Sequence, residues 1–366
     1  MHILIENKNL ISAVHTAARF AERRSATLPA LASILILASD EGVKMRSTNL
    51  EAGIDLKVPA SVKAPGAVAV PATLLQQVAS SLSPEGSTTL EQAGDVLTMT
   101  VGGSKLSLKT TPYEDFPSIP FPENPTHRLI LPAATLRGVL AAIASCASTS
   151  TIRPELASIL FSMARDSVTL VATDSFRLAE KKIPVSVSTT SGAFLIPAKN
   201  ALEIAQALPE EDIIISFDEH QCAFITNTLI LVSRLTNATY PDYRQIIPKE
   251  SVVEATVLRK DFETALKRTS IFADAFQKVR LSFDPKKKEL VLSARNQDLG
   301  ESTETVSAQL SGEAAQMSFN YRYLAAIFAL TGAESLTFSV AGVGRPLIIR
   351  GAGDASLLYL VSPMNQ

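Results

Sequence analysis

The stretch Thr27-Leu28-Pro29-Ala30-Leu31-Ala32-Ser33-Ile34-Leu35 returns 125 residues later as Ile152-Arg153-Pro154-Glu155-Leu156-Ala157-Ser158-Ile159-Leu160. Val70-Pro71-Ala72 opens one apolar helical segment, and Ile196-Pro197-Ala198 opens another 126 residues further on. A fainter third copy runs from Phe276 to Leu281, and Asn49, Asp174 and Asn296 keep spacings of 125 and then 122 residues. Landmarks that recur in one order indicate three homologous domains of about 120 residues each.

Each repeat has the same predicted layout: a strand, a helix and three strands, and then the same series again. Apolar residues at three- and four-residue steps predict two helices per repeat. These six helices fall at 10–24, 72–82, 133–146, 198–208, 258–271 and 320–331. The alternating strands between them are typical of antiparallel sheets with one face covered by helices. The predicted fold class is therefore α+β, with three similar domains.

Two proline-rich segments, Asp115–Pro122 and Tyr240–Pro248, separate the repeats. Proline fixes φ and cannot donate to a strand ladder, so these segments favour stiff, extended linkers. The predicted domains are residues 1–124, 125–252 and 253–366.

Composition limits the class of protein. With 46% hydrophobic and 19% charged residues the 366-residue chain is globular. Its two cysteines, Cys146 and Cys222, form no CxxC pair, which favours buried thiols in a reducing compartment over disulfides or a zinc site. Met1–Glu6 is strand-like and lacks the apolar core of a signal peptide. We therefore expect a soluble, cytoplasmic protein.

Charge is distributed unevenly although the net charge is only −2. The six helical windows hold ten basic residues and four acidic ones (Glu22, Glu203, Asp261, Glu263), so they carry 10 − 4 = +6 and the remainder −2 − 6 = −8. The basic residues are Arg19, Arg23, Arg24, Arg137, Lys199, Arg259, Lys260, Lys267, Arg268 and Arg322. If all the helices share one side of the sheets, a polyanion is attracted to that side. No base-reading motif accompanies these residues, which favours phosphate contacts without sequence preference.

Sequence features that suggest catalysis have simpler interpretations. Gly351–Ser356 resembles a nucleotide-binding loop but lies between two predicted strands, which favours a hairpin turn. None of His2, His15, His127 and His220 has metal-ligand spacing or a nucleophile partner in a known motif. The basic run Lys286–Lys288 follows the turn dipeptide Asp284-Pro285, which favours a solvated hairpin tip. We expect no catalytic residues, no metal and no cofactor.

Several longer segments, taken together, closely resemble the bacterial sliding clamp, the beta subunit of DNA polymerase III. They are Val171–Ala179, Tyr240–Arg244, Phe319-Asn320 with Tyr323-Leu324, and the terminal Tyr359–Met364. The resemblance covers the whole chain. It implies antiparallel sheets outside, two helices per domain inside, and a head-to-tail homodimer that closes a six-domain ring around duplex DNA.

The resemblance also implies a function. A closed ring slides along double-stranded DNA without sequence preference and raises the effective concentration of a tethered polymerase. Its partners would be DNA, a second copy of the chain, the polymerase III alpha subunit, clamp-loader subunits and other proteins with clamp-binding motifs. The rival hypothesis is a three-domain protein-binding scaffold that does not encircle DNA, with its basic residues scattered over both faces.

Three groups of residues follow for the proposed roles. The helix residues expected to face DNA are Arg19, Arg23, Arg24, Arg137, Lys199, Lys267, Arg268 and Arg322. By resemblance, the dimer interface would use Val78, Leu106, Leu108, Ile271 and Phe272, with strand Ser104–Lys109 pairing with an edge strand of the third domain. The partner-peptide cleft would be lined by Leu156, Thr173, Ser175, Phe176, Arg177, Leu178, Pro241, Ile246, Ile247, Phe276, Asn320, Tyr323, Pro346, Val361, Pro363 and Met364.

Four cleft positions depart from the pattern common in the family. Phe176 stands where histidine is common, Ser175 where glycine is common, Gln245 where arginine is common, and Ser362 where methionine is frequent. The departures leave the predicted fold unchanged. They alter the surface that a partner peptide would meet, and the pocket should still favour peptides that carry Leu and Phe.

Overall fold

The computed structural model describes residues 1–23, 28–119, 127–185, 187–188 and 192–364. These residues form two compact units. The first comprises Met1–Arg137, Val185–Thr190 and Leu202–Leu235, and the second comprises Gly138–Pro184, Ser191–Ala201 and Thr236–Gln366.

The elements follow the predicted order, except that each of the first two repeats has one more strand than predicted and the last predicted helix is divided in two. The first repeat contains β1 (His2–Glu6), α1 (Asn7–Ala18), β2 (Ser33–Ser39), β3 (Gly42–Thr48), β4 (Ala52–Val58), β5 (Ala60–Ala64), β6 (Gly66–Pro71), α2 (Ala72–Ser80), β7 (Ser87–Ala93), β8 (Val96–Val101) and β9 (Ser104–Lys109). The second contains β10 (His127–Pro132), α3 (Ala133–Ala144), β11 (Ser158–Met163), β12 (Ser167–Thr173), β13 (Arg177–Pro184), β14 (Val187–Ser188), β15 (Gly192–Pro197), α4 (Ala198–Ala207), β16 (Asp212–Phe217), β17 (Gln221–Ile225) and β18 (Leu229–Arg234). The third contains β19 (Val253–Leu258), α5 (Arg259–Ser270), β20 (Lys278–Asp284), β21 (Glu289–Asn296), β22 (Gly300–Gly312), β23 (Ala315–Asn320), α6 (Tyr321–Ala325), α7 (Ile327–Leu330), β24 (Ser335–Val340), β25 (Leu347–Gly351) and β26 (Leu357–Val361).

The strands form antiparallel sheets, as predicted. The first unit holds a five-stranded sheet, β5-β1-β7-β8-β9, and a nine-stranded sheet, β14-β10-β16-β17-β18-β4-β3-β2-β6. The second unit holds a twelve-stranded sheet in the order β15-β11-β12-β13-β26-β25-β24-β19-β22-β21-β20-β23. Consecutive repeats are joined edge to edge, because β18 pairs with β4 in the first unit and β26 pairs with β13 in the second.

The first repeat changes strand partners at a break in the chain of strands, whereas the third does so within one continuous strand. Pro59 separates β4, which pairs with β3, from β5, which pairs with β1. A proline cannot donate to a ladder, so it is a natural break between two sheets. In the third repeat, β22 is one continuous strand that pairs with β21 over Gly300–Ser307 and with β19 over Ala308–Gly312.

The motif repeated in the first two domains is a turn stabilised by hydrogen bonds of a serine side chain. Ser33 Oγ donates to the Pro29 carbonyl at 3.3 Å and contacts Thr111 Oγ1 at 3.0 Å. Ser158 Oγ makes the same two contacts, with the Pro154 carbonyl at 2.8 Å and with Thr236 Oγ1 at 2.8 Å. The shared turn explains why Pro and Ser recur at one spacing.

The second set of landmarks caps three equivalent hairpins. Asn49 Oδ1 accepts the amides of residues 51 and 52 at 3.0 and 2.8 Å. Asp174 Oδ1 accepts those of 176 and 177 at 2.9 and 3.0 Å, and Asn296 Oδ1 accepts those of 298 and 299 at 2.9 and 3.2 Å. An Asx side chain that binds amides two and three residues ahead stabilises a tight turn.

Two helices differ most from the prediction. α1 begins at Asn7 instead of residue 10, because the buried Asn7 side-chain amide donates to the carbonyls of Ser83 and Glu85 at 2.8 and 3.0 Å and fixes the start of the helix. It ends at Ala18 instead of residue 24. The last predicted helix is divided into α6 and α7 at Ala326, whose amide bonds three residues back to Tyr323 at 3.3 Å.

Three smaller predictions are confirmed. Lys286–Lys288 form the exposed tip between β20 and β21, and Gly351–Ser356 form the turn between β25 and β26. Cys146 and Cys222 are both buried free thiols. Of the helices in the described ranges, none combines the length and apolar character needed to cross a lipid bilayer.

Candidate functional sites

The basic helix residues of the first unit are placed differently from one another. Arg19, at the end of α1, is exposed and pairs with Glu203 Oε2 at 3.4 Å and with the Gln206 side chain, both on α4. Arg23 is exposed. Arg24 lies outside the described residues. An exposed ion pair contributes little to stability, so the Arg19 guanidinium can still exchange partners.

Arg137 corrects one prediction. Its guanidinium donates to the carbonyls of Leu208 and Pro209, each at 2.7 Å, directly after the last residue of α4. A cation here neutralises the negative end of the helix and satisfies carbonyls that have no intrahelical donor. We therefore remove Arg137 from the expected phosphate contacts, since its side chain is committed within the protein.

The second unit keeps its predicted basic residues at the surface. Lys267 pairs with Glu263 at 2.8 Å one turn back on α5, and Arg268 pairs with Glu304 on β22 at 3.4 Å. Both cations are exposed, by 74% and 65%. Lys199 and Arg322 are exposed as well. Such side chains remain accessible to a polyanion.

The predicted cleft is built around the β12–β13 hairpin tip, residues 174–177. Thr173 Oγ1 donates to the Arg177 carbonyl at 2.7 Å and accepts the Ser175 amide at 3.1 Å. Ser175 has φ +78°, in the left-handed region where glycine is favoured. The hydrogen bond from the Ser175 amide to Thr173 helps to hold serine in this conformation.

Arg177 joins this tip to the third repeat. Its Nε donates to Asp174 Oδ2 at 2.9 Å, its Nη2 donates to the Ser145 carbonyl just after α3, and its guanidinium carbon lies 4.7 Å from the Tyr323 ring centroid. Burial and the Asp174 carboxylate raise the pKa of the Tyr323 hydroxyl. Tyr359 is more deeply buried, and burial raises its pKa well above the ordinary value, while its hydroxyl donates to the Tyr323 carbonyl at 2.7 Å. Tyr323 is thus held at both its ring and its backbone.

An apolar core lies beneath the cleft. Its buried members are Val171, Leu178, Tyr243, Ile348, Leu358 and Leu360, and Leu160, Tyr240 and Ile247 pack against them. Leu156, Leu178 and Val361 are buried, which corrects their prediction as accessible lining residues: their side chains fill the interior. Phe176, Ile246 and Phe276 are exposed by 59%, 50% and 73%, so they are available to a ligand.

The C-terminal segment bridges the two repeats at this site. The Ser362 amide donates to the Phe176 carbonyl at 2.8 Å, and the Met364 amide donates to the Ser318 carbonyl at 2.8 Å. Pro363, Met364 and Pro346 are half-buried, and Pro241 is exposed. Asn320 caps α6 by accepting the Arg322 amide at 2.9 Å.

The residues predicted for a dimer interface lie in both units. β9 is an edge of the five-stranded sheet; Leu106 on it is 38% exposed, whereas Leu108 is only 3% exposed. The Leu108 side chain therefore packs inside its own unit, so its predicted part in the interface would be through the backbone of β9. Ile271 is 64% exposed, and the half-buried Phe272 lies beside Gly300 at the start of β22. Val78 is half-buried.

Two features of these regions were not predicted from the sequence: the exposed Leu299 and a contact between two cleft residues. Leu299 is 62% exposed beside Gly300, and its place three residues after Asn296 matches Ala52 and Arg177 in the other repeats. The Arg177–Tyr323 contact was also missed, although both residues were assigned to the cleft. The repeat spacing could have identified Leu299, but no local signal indicates the second contact.

The described residues offer no basis for metal chemistry or thiol chemistry. Within them, no group of three or more His, Cys, Asp or Glu side chains is arranged to hold a metal ion. Burial raises the pKa of the Cys146 thiol to about 11, which keeps it protonated and unreactive near neutral pH.

Comparison with known proteins covers nearly the whole chain. Residues 1–120, 130–242 and 244–365 match the models of the N-terminal, central and C-terminal domains of the DNA polymerase III beta subunit. The beta sliding clamp of Bacillus subtilis is 28% identical over 383 residues, covering 100% of both chains. That of Synechococcus elongatus is 28% identical over 347 residues, covering 92% of each.

Solved structures agree. The crystal structure of the Bacillus subtilis sliding clamp superposes with a TM-score of 0.93 at 25% identity, covering 100% of this chain and 99% of that one. The Thermotoga maritima beta subunit shares the fold, with a TM-score of 0.92 at 22% identity and coverage of 100% and 99%.

The fold and the order of its repeats define a DNA sliding clamp. The chain belongs to the family of DNA polymerase III beta subunits. Its function is that of a non-catalytic processivity factor in DNA replication, as predicted, and the scaffold alternative is not favoured.

Proposed function

We propose that two copies of the chain join head to tail in a ring that encircles duplex DNA without sequence preference. The ring tethers the polymerase III alpha subunit, clamp-loader subunits and other proteins through a peptide cleft formed by the second and third domains. The three domains are residues 1–124, 125–252 and 253–366.

The observation that carries the proposal is a repeated rule of strand pairing. The last strand of the second repeat pairs with β4 of the first, and the last strand of the third pairs with β13 of the second. By the same rule β9, the last strand of the first repeat, would pair with the Gly300–Ser307 part of β22 in a second copy of the chain. Neither edge has a second strand partner within the described ranges. A pair of complementary edges, one on the first repeat and one on the third, supports head-to-tail closure.

The repeat spacing also supplies a register for this closure. Ala52 faces Ser233 and Arg177 faces Val361 in the two existing junctions. The Ser33–Thr111 contact matches the Ser158–Thr236 contact, so equivalent residues of the first two repeats are offset by 158 − 33 = 236 − 111 = 125 positions. Position 233 then corresponds to 233 − 125 = 108 and position 177 to 177 + 122 = 299. Leu108 would face the partner's Leu299.

Side-chain chemistry fits this pairing. In this register exposed Lys109 on β9 would face the partner's Asp298, and exposed Lys105 would lie diagonally opposite the partner's Glu304. Beside the strands, Ile271 and Leu299 present exposed apolar surface on one side, with Leu106 available on the other. Opposite charges and apolar surface on both edges favour pairing with each other over nonspecific aggregation.

The DNA contacts in this proposal are cations on the helices or shortly after α1. The exposed ones are Arg19, Arg23, Lys199, Lys267, Arg268 and Arg322. Arg24, outside the described residues, is retained from the sequence alone. Long side chains that exchange between acidic neighbours and phosphates hold a duplex without fixing its register. This kind of contact suits movement along DNA and weakens with salt.

The cleft suits an extended peptide with hydrophobic anchors. Phe176, Ile246 and Phe276 provide exposed apolar surface above a buried core, and Arg177 provides a fixed polar neighbour. Ligand sites of this type are mainly apolar with few placed polar groups.

A topological assay tests the ring. The protein is loaded on a nicked circular plasmid with a bacterial clamp loader and ATP, and gel filtration measures how much stays bound before and after the plasmid is linearised. We expect retention on the circle and loss of most of it after linearisation. Equal retention on both forms, or on neither, would contradict encirclement.

A variant with Ile271→Glu and Phe272→Glu probes the interface in the same assay. Light scattering should give the 39.1 kDa chain instead of a dimer of 2 × 39.1 = 78.2 kDa, and retention on circles should disappear. The control is Leu50→Glu, an exposed apolar residue between β3 and β4 that is not assigned to the interface, which should leave both results unchanged. Thermal unfolding verifies that each variant is folded, and a folded dimer of the double variant would exclude this interface.

A further inference from the structure

Four isoleucines lie side by side on adjacent strands of the nine-stranded sheet. Ile130 pairs with Ile214, Ile214 pairs with Ile225, and Ile225 pairs with Ile230. All four are half-buried, whereas the next residue along the strand, such as Ile213, is fully buried. Because side chains alternate between the faces of a strand, these isoleucines lie on the sheet face that points away from the core. Contiguous apolar surface of this kind often marks an interaction site. We call it the isoleucine row (Ile130, Ile214, Ile225 and Ile230).

The other two repeats are mainly polar at the positions of the isoleucine row. Leu4, Ile130 and Thr256 are equivalent, because each lies two residues before the end of the first strand of its repeat. The ladders that start from Leu4 and from Thr256 give the corresponding rows, which are Leu4, Thr89, Thr100 and Lys105 in the first repeat and Thr256, Thr337 and Arg350 in the third. The same sheet therefore forms without an apolar row, so the fold does not require it.

A basic pair adjoins the isoleucine row. Ile230 pairs with Asp55, whose Oδ2 accepts a hydrogen bond from Arg46 Nε at 2.9 Å, so the row ends in an internal ion pair. Two residues further along the same strands and on the same face, Lys44 and Lys57 are directly opposite each other. Like charges at directly opposed positions destabilise a strand ladder. Places where a sequence departs from such a local rule are expected at functional sites.

We propose that the isoleucine row and the Lys44–Lys57 pair form a docking surface for an amphipathic α-helix of a partner protein, with acidic residues at the end of the helix that lies over the lysines. Adjacent strands are about 4.8 Å apart, so the row spans about 14 Å. Apolar side chains on successive turns of a helix recur about every 5.4 Å, so about three turns laid across the strands cover the whole row. An added β-strand does not suit this surface, because each of the four strands already has a neighbour on both sides.

This surface is distinct from the sites of the proposed function. In the proposed ring the helices face DNA, so the opposite sheet face would stay free while DNA is bound. The isoleucine row belongs to the first compact unit, whereas Phe176 and Phe276 of the proposed cleft belong to the second. The docking proposal therefore depends neither on ring closure nor on the cleft.

The test uses fluorescein-labelled synthetic peptides of about 18 residues. Two helical peptides carry leucine at every third or fourth position and three glutamates at either the N-terminal or the C-terminal end, and a third peptide has the same composition in scrambled order. Fluorescence anisotropy with the full-length protein measures the dissociation constants. We expect one of the two helical peptides to bind at least about tenfold more tightly than the scrambled one, because only an ordered apolar stripe matches the row.

Matched variants locate the binding surface. Combining Ile214→Thr with Ile225→Thr introduces the residues that the first repeat has at these positions, keeps β-branched side chains in the strands and should weaken binding about tenfold. Combining Lys44→Gln with Lys57→Gln should weaken it about threefold at low salt and less at high salt. Lys286→Gln, at an exposed hairpin tip, should have no effect. Thermal unfolding verifies that each variant is folded.

The remaining outcomes would overturn the proposal. Equal binding of the helical and scrambled peptides, or full binding to the folded Ile214→Thr, Ile225→Thr variant, would exclude the isoleucine row as the docking surface. Loss of binding in Phe176→Glu would place the peptide in the cleft instead. Assemblies larger than two chains in light scattering that disappear in the double threonine variant would mean that a second copy of the chain covers the row. The assay on circular DNA tests the ring separately from all of these results.

Discussion

Two junctions between repeats have the same strand pairing but differ in the side chains around it. In the first, β4 pairs with β18; in the second, β13 pairs with β26 at the same register relative to the repeat. Each is followed by a corresponding linker, Asp115-Phe116-Pro117-Ser118-Ile119 and Asp242-Tyr243-Arg244-Gln245-Ile246. The equivalent strand positions are Gly53 in the first junction and Leu178 in the second, offset by 125.

The linker isoleucines pack differently at the two junctions. At the first junction, Ile119 Cγ2 lies 3.1 Å from the position that a Cβ on residue 53 would take. At the second junction, Leu178 is buried, Tyr243 and Ile247 of the linker pack in the core around it, and Ile246 remains 50% exposed. A glycine at one junction and a leucine at the equivalent position of the other thus go with different contacts of two corresponding linkers.

The largest expected effect comes from removing the side chain that fills the second junction. Leu178→Ala deletes a fully buried side chain and should reduce the free energy of unfolding by about 3 kcal/mol, because a cavity remains among its neighbours. The measurement is urea unfolding, with cleavage of the second and third domains by trypsin as the readout of unfolding. Leu50→Ala, at an exposed tip, should change stability by less than about 0.5 kcal/mol. A similar small change for Leu178→Ala would show that the interior of the junction is not tightly packed.

A smaller effect tests the packing of the first junction. Gly53→Ala places a Cβ at 3.1 Å from Ile119 and 3.3 Å from Thr48, so the substitution should cost about 1 kcal/mol. In an Ile119→Ala background the same substitution should cost much less, because its main obstacle is gone. A double-mutant cycle by urea unfolding measures this coupling. Additive effects would mean that Ile119 does not depend on the glycine.

The smallest effect concerns an ion pair at the second junction that is less exposed to solvent than an ion pair at the first. Lys181 Nζ and Asp354 Oδ2 are 2.8 Å apart and about a quarter exposed or less, whereas Arg234 and Glu51 in the first junction are 3.8 Å apart and well exposed. Burial opposes ionisation of Asp354, but hydrogen bonds from Lys181 and Ser356 outweigh it and lower the pKa of the carboxyl. A lowered pKa in the folded state stabilises the protein above the unfolded-state pKa, and this stabilisation is lost as the pH falls through the folded-state value.

Asp354→Asn should therefore cost at most about 1 kcal/mol at pH 7, and the difference from the wild type should shrink below about pH 4. Thermal unfolding between pH 3 and pH 7 measures the difference. Glu51→Gln is the matched control in the exposed pair and should show little change across this range. A constant difference for Asp354→Asn down to pH 3 would mean that its charge does not contribute.

Much of the fold follows from the sequence because its signals are local. Alternation defines the strands, the 3.6-residue period defines the helices, and the spacing of Asn49, Asp174 and Asn296 identifies three capped hairpins. The start of α1 could not be predicted, because Asn7 is fixed by carbonyls about eighty residues away. Periodicity contains no information about such contacts.

The sites were less predictable for the same physical reason. A basic residue on a helix has the same appearance in the sequence whether it faces solvent or, like Arg137, caps another helix. Leu178 and Phe176 are both apolar residues of one hairpin, yet one is buried and the other is exposed. Only the tertiary environment distinguishes them, so the resemblance proposed a region and the structure placed the individual side chains within it.

The uninterrupted β22 has a mechanical consequence. Pro59, between β4 and β5, has no N–H and donates no ladder hydrogen bond, so the first repeat has a break in its hydrogen-bonded strand at that residue. From Gly300 to Gly312 the third repeat has no such break, and bending there requires that backbone hydrogen bonds to β19 or β21 be broken. A bend of the same size would therefore break more backbone hydrogen bonds in β22 than at Pro59.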